Sequence, residues 1–166
     1  MFIPFEEISA GARVWIYQLN RAISQQEKME MEAVLRAFCN QWQAHGAPLS
    51  TSFKLVYDHF LIVAVDEQVA SASGCSIDGS VRILKELGAK MDLDFFDRTK
   101  VAILVNDKVE LYPIAQLKEL FIDGTLKPTS VTFNNLVATK KAYIEGWQVT
   151  VDQSWLARYL PKGTLA

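Results

Sequence analysis

The 166-residue sequence predicts one α+β domain. Three observations predict it. Runs rich in β-branched and aromatic residues recur along the chain, as pleated, half-buried surfaces require. Between them lie two long stretches whose apolar residues repeat at helical spacing. Half of the residues are apolar and 22% are charged, a balance that lets a chain of this length bury a core.

The elements follow in order. Arg13 to Leu19, containing Val14, Trp15, Ile16 and Tyr17, is the first strand. Ser24 with Glu27 three residues on has the form of a capping box and opens a helix running to about Ala44. Its apolar stripe is Met31, Val34, Leu35, Phe38 and Trp42, and His45-Gly46-Ala47-Pro48 stops it. Phe53 to Tyr57 and Phe60 to Val65 are strands at hairpin distance across Asp58-His59. The second of these has no polar face, which predicts a central strand covered on both sides. After the small polar stretch Ser71 to Ser76, a second helix runs to about Lys90 with Ile77, Val81, Leu84 and Leu87 inward. Val101 to Val105 and Val109 to Tyr112 flank a second hairpin turn at Asn106-Asp107-Lys108. Beyond Pro113 come a short helix closed by Gly124, a helix from about Asn134 to Glu145, a short strand over Trp147 to Val151 and a helical turn over Ser154 to Leu160.

Through residue 105 the order is β-α-β-β-α-β. That is the connectivity of the ferredoxin-like split βαβ fold, in which right-handed crossovers put two helices on one face of an antiparallel or mixed sheet. The expectation is therefore an α/β core over residues 1–112 and a mostly helical extension over 113–166, within a single domain. Open sheet edges in such a fold invite strand pairing, so a homo-oligomer, in the first instance a homodimer, is expected.

Charge and composition exclude several classes. The net charge is −2 and the pI is about 5.7, so the basic face that drives binding to a phosphate backbone is missing and no nucleic-acid partner is expected. Two cysteines, Cys39 and Cys75, make no disulfide framework. Met1 to Glu7 lacks the basic and apolar regions of a signal peptide, and no run approaches the ~20 apolar residues of a membrane span. The expected setting is cytoplasmic, without membrane contact.

The stretch from residue 60 to 81 carries the chemistry-bearing residues. An apolar strand followed by Asp66-Glu67 has the form of a Walker B strand. Gly74-Cys75-Ser76-Ile77-Asp78-Gly79-Ser80-Val81 approaches Walker A spacing. Ser80 stands where a lysine must reach the phosphates, and Val81 where a hydroxyl must bind Mg²⁺. Val65-Asp66-Glu67 through Ser73-Gly74-Cys75-Ser76-Ile77-Asp78, together with the Arg13-Val14-Trp15-Ile16-Tyr17 start, resembles a family of short uncharacterised bacterial proteins often labelled "ABC transporter ATPase". The resemblance covers most of the chain and implies no particular site. With no Walker A motif and no signature of the Leu-Ser-Gly-Gly-Gln type, ATP hydrolysis is not expected.

Two further readings compete. Cys75 lies at a helix start, where unpaired backbone N–H groups stabilise a thiolate and could form an oxyanion hole, so a thiol-dependent enzyme or redox sensor is one of them. His59 is a poor base for it, because a straight strand would hold the two ~20 Å apart. The other reading is a non-enzymatic small-ligand-binding or assembly protein. Its site would be Ser73, Gly74, Ser76 and Asp78, with Asp66 and Glu67 nearby, since hydroxyls and backbone N–H groups at a helix start hold anions. The three carboxylates could suit Mg²⁺, but adjacent Asp66 and Glu67 point to opposite faces of a continuing strand. Neither a metal nor a cofactor is expected. The binding reading is favoured; the ligand and the protein partner are not named by the sequence.

Overall fold

A computed structural model describes residues 1–68 and 70–163. Capping and turn chemistry set most of its element boundaries. The elements are β1 (Arg13–Gln18), α1 (Gln25–Gln41), β2 (Gln43–Ala44), β3 (Ala47–Pro48), β4 (Ser50–Val56), β5 (Phe60–Asp66), α2 (Gly74–Met91), β6 (Lys100–Val105), β7 (Lys108–Pro113), α3 (Leu117–Ile122), β8 (Val131–Phe133), α4 (Lys140–Gly146) and β9 (Gln148–Thr150). Short 3-10 turns follow at Val151–Gln153 and Trp155–Tyr159. The architecture is mixed α+β, and every paired strand among the described residues runs antiparallel.

The first sheet has the order β1-β5-β4. Its central strand is the apolar run that the sequence singles out, and Phe60 to Val65 are all buried. Alternation sends Leu61, Val63 and Val65 toward α1 and α2, where they meet Met31, Leu35, Trp42, Leu84 and Leu87. Ile62 and Ala64 face the other way, onto Phe5, Ile8, Ala12 and Val14. Helix α1 begins at the expected capping box, with the Ser24 side chain accepting from Glu27 N–H and the Glu27 side chain accepting from Ser24 N–H. It ends at Gln41 because Trp42 is already extended; His45 and Gly46, both at positive φ, then turn the chain through the β2–β3 ribbon.

Two hairpin turns use non-glycine residues in the left-handed region. Asn106 and Asp107 join β6 to β7 as expected for such residues. Between β4 and β5 the left-handed pair is Tyr57-Asp58 rather than Asp58-His59, with His59 N–H donating to Val56 C=O.

The first three strands of the expected ferredoxin-like order are adjacent, but the fourth does not join them. β6 instead lies in a second sheet of order β7-β6-β8-β9. The reason is that β6 has neighbours on both edges there, β7 along its length and β8 at Leu104. One face, through Val101 and Ile103, packs on Leu117, Phe121, Leu126, Val151 and Leu156, a separate core. The place beside β1 is taken near its start by the C-terminal half of the chain: Val14 N–H donates to Ala138 C=O, and Arg13 bridges to Thr139. The far edge of the sheet is covered in part too, because Phe2 bridges Thr51 of β4.

The extension is also less helical than expected. It supplies β8 and β9 to the second sheet, so a division near residue 112 falls inside one sheet. The helix expected from Asn134 is shortened to α4, since Thr139 caps it by accepting from Ala142 N–H and Asn134 turns back on Leu136 N–H.

The sheets meet through aromatic packing. Phe60 of β5 lies 4.8 Å from Phe133 of β8 and 4.9 Å from Trp147, centroid to centroid. A polar chain runs alongside: Trp147 indole N–H donates to Asn135, Asn135 amide to Gln18, and Gln18 amide to Lys100 C=O. Among the described residues no helix is long and apolar enough to cross a membrane.

Candidate functional site

The segment that the sequence marks is built as a helix start. Ser73, not Ser76, is the N-cap of α2: its hydroxyl accepts from Ser76 N–H at 3.1 Å. Ser76 reciprocates, its hydroxyl accepting from Ser73 N–H at 2.7 Å and donating to Ser73 C=O at 2.8 Å. Ser76 is buried, and its own carbonyl accepts the indole N–H of Trp42 at 2.8 Å. Both hydroxyls are therefore engaged within the cap. Gly74 is exposed and a Cβ there would meet nothing within 4 Å, so no close approach of backbone requires glycine.

The remaining residues diverge from this cap. Cys75 is exposed as the second helical residue, whereas Cys39 is buried. Burial pushes the Cys39 thiol up to about 11. Asp78 faces solvent. Asp66 accepts from Gln68 N–H. Glu67 accepts from Ala72 N–H and lies 3.6 Å from the Arg13 guanidinium. Asp66 and Glu67 thus brace the loop that leads to α2. Among the described residues no group of three or more His, Cys, Asp or Glu side chains is arranged to hold a metal. His59 stays at the hairpin end of β5, its Nδ1 against Tyr57 C=O at 2.9 Å.

A cleft lies elsewhere, beside the joint between the sheets. It has a volume of about 370 Å³ and is lined by Val56, Tyr57, Tyr143, Ile144, Glu145, Gly146, Trp147 and Gln148. Small-molecule sites span ~300–1,000 Å³, so this cleft is large enough for a compact organic ligand. Two elements form it. The left-handed turn at Tyr57 places one ring there, and the strained backbone is held by packing of that ring 6.2 Å from Trp147 and 6.0 Å from Phe133. The last turn of α4 supplies Tyr143, one turn before Trp147, with their rings 5.1 Å apart. Trp147 is buried and fixed by its hydrogen bond to Asn135.

The polar groups of the cleft are few. Gln148 amide donates to the Tyr57 hydroxyl at 2.9 Å. The Tyr143 phenol is pushed up to about 12, first by burial and then by Tyr57 and Glu6. Glu145 is the one charged residue of the lining, and it is exposed. Lys140, the first residue of the same helix, points away: its ammonium donates to Glu6 C=O at 3.0 Å and Ile8 C=O at 2.7 Å, whereas the exposed Lys141 lies one helical turn before Glu145. A cleft lined by ring edges, backbone, one amide and one exposed carboxylate, with no nucleophile paired to a base, is suited to holding a molecule rather than to attacking it.

The sequence marks Trp147 and Gln148 only as part of a short strand, and marks neither Tyr57 nor Tyr143 as a site residue. The signal available was the Tyr143–Trp147 pair at helical spacing ahead of an alternating strand. Its counterpart at residues 56 and 57 is distant in the chain. No protein-family model, no curated protein and no solved structure matches this chain.

Proposed function

We propose that this chain is a non-enzymatic binding protein whose small-molecule site is the cleft between the Tyr57 turn and the end of α4. The observation that carries the reading is the cleft itself: about 370 Å³, walled by Tyr57, Tyr143 and Trp147, with Gln148 and Glu145 at its polar points. The Ser73–Asp78 segment is the weaker location, because the Ser73 and Ser76 hydroxyls already satisfy each other's backbone. The test is a titration of ¹⁵N-labelled protein with a set of small aromatic and aliphatic fragments. Shifts at Tyr57, residues 143–148 and the Trp147 indole N–H support the reading. Shifts confined to residues 73–78 return the site to the start of α2, and no shift in either region refutes a small-molecule site.

A second reading rests on the exposure of Cys75 beside the start of α2. Thiol chemistry would show as Cys75 alkylation much faster than that of a free cysteine at neutral pH, with Cys39 as the internal control. An ordinary rate removes this reading. Self-association is a separate proposal. The outer strands β7 and β9 of the second sheet are its candidate surfaces, and a monomer by light scattering at micromolar concentration refutes it.

A further inference from the structure

We infer that two copies of this chain pair through β7, antiparallel about a two-fold axis at Leu111, joining their second sheets into one. The inference rests on the self-association proposed above and names its surface and register. Asn106 and Asp107, both left-handed, form a two-residue turn that makes Val105 and Lys108 a hydrogen-bonded pair. Alternation then aims the main-chain groups of Lys108, Glu110 and Tyr112 at β6, and those of Val109, Leu111 and Pro113 outward. β6 keeps the same phase: its residues facing away from β7, Ala102 and Leu104, meet Thr132 and Val131 of β8. Among the described residues no strand lies beyond β7, and no hydrogen bond reaches the Val109 or Leu111 main chain from outside. The other outer strands are shorter or partly covered. β9 has three residues, Val14 of β1 is bonded to Ala138, and Phe2 bridges Thr51 of β4.

The side chains of β7 select the register. Val109 opposite Leu111 would set Glu110 directly across from its own copy, in a closely spaced pair where like charges destabilise. Val109 on the axis would set Leu111 against the left-handed turn, and Leu111 opposite Pro113 would leave Val109 past the end of the strand. Leu111 on the axis avoids all three. Each Leu111 N–H then donates to the other Leu111 C=O, and each Val109 N–H donates to Pro113 C=O of the second copy. Every outward donor is paired, and Pro113 brings no N–H to be orphaned. Glu110 comes opposite Tyr112 of the second copy, a residue whose hydroxyl already donates to Glu110 within one chain. On the other face of the sheet the two half-buried Leu111 side chains meet.

Sedimentation of the full chain at micromolar concentration gives the oligomeric state. Amide exchange of ¹⁵N-labelled protein, below and above the dissociation midpoint, gives the surface. A dimer is expected, with the Val109 and Leu111 N–H groups exchanging roughly tenfold slower or more when paired. Those of Glu110 and Tyr112, already turned to β6, should change far less. Leu111→Pro removes an N–H that points away from β6, at an edge position where proline is tolerated, and should weaken the dimer roughly tenfold. A Leu111→Pro chain that dimerises like the parent overturns the register. A parent dimer with Val109 and Leu111 exchange unchanged overturns the surface while self-association stands, and slowing confined to Gln148–Thr150 moves it to β9. A monomer at micromolar concentration overturns both this inference and self-association itself.

Discussion

Replacing Glu27 with glutamine should cost stability at neutral pH, and the cost should disappear in acid. Glu27 accepts two hydrogen bonds from Arg21, at 2.9 and 2.7 Å, and one from Ser24 N–H at 3.0 Å. Arg21 also donates to Met91 C=O at 2.6 Å and to Asp92 C=O at 3.3 Å, so the pair ties the start of α1 to the end of α2. The Arg21 hydrogen bonds, then that from Ser24, hold the Glu27 carboxyl at about 2 instead of its usual 4.5. Taken whole, that shift is worth about 3 kcal/mol. The Arg21 side chain is 39% exposed and that of Glu27 22%, and solvent screening reduces the figure to about 1–2 kcal/mol. The sign follows from the lowered value: the stabilisation is complete above about 4.5 and is lost as pH falls toward about 2. Urea denaturation of the parent and Glu27→Gln chains, at steps from pH 7 to pH 2, measures it. The two curves should differ by about 1–2 kcal/mol at pH 7 and converge near pH 2. Asp97, lowered by its hydrogen bonds from Thr99, adds to the acid limb of both chains equally and cancels in the difference. A gap that persists unchanged at pH 2, or is absent at pH 7, refutes the reasoning.

Four other outcomes are expected. Gly88→Ala should lose roughly 1–3 kcal/mol in thermal or urea melts, because the new Cβ would sit 2.5 Å from Leu93 C=O, a backbone atom that cannot simply swing aside. An unchanged melt would mean that the α2 terminus relaxes freely. Lys140→Met should lose about 1–3 kcal/mol by orphaning the carbonyls of Glu6 and Ile8, and should raise hydrogen exchange over residues 5–12; unchanged exchange there would contradict the clamp. Ser52→Ala should be neutral or stabilising by up to about 1 kcal/mol, since the Ser52 hydroxyl is buried without a hydrogen-bond partner among the described residues; a clear loss in a urea melt would refute this. In native protein an alkylating reagent should modify Cys75 and spare Cys39, whose thiol is buried and raised to about 11; mass spectrometry should find Cys39 labelled only after unfolding, and native labelling of Cys39 would overturn its placement.

What the sequence reveals here depends on range. The Ser24–Glu27 capping box is legible because all its partners lie within one turn. The central position of Phe60 to Val65 is legible because an unbroken apolar run leaves no face for water. The start of α2 is displaced by three residues for a local reason as well. Ser73 and Ser76 offer the same chemistry, and each satisfies the other. The inward face then rotates to Ser76 and Ser80, with Ile77 and Val81 only half-buried, because Ser80 returns its hydroxyl to Ile77 C=O and so tolerates burial. The partners of β6 are not legible, since its apolar residues would suit either sheet and the choice is made by α3 and by the two strands from the C-terminal third. The cleft is least legible of all. Tyr57 reaches it from a turn and Tyr143 from a helix, and neither residue type announces the other.

The bond from Val14 N–H to Ala138 C=O has a consequence for the order of assembly. A ribosome releases β1 first, and at ~5–20 residues per second the residue that satisfies the Val14 N–H follows some ten seconds later. For that interval a strand of Val, Trp, Ile and Tyr keeps an open donor at its start, at Val14. Strands of this composition are recruited by other chains when left bare. The C-terminal half thus serves the N-terminal half as its late-arriving guard, and variants that shorten or slow that half should reveal themselves first as aggregation during synthesis.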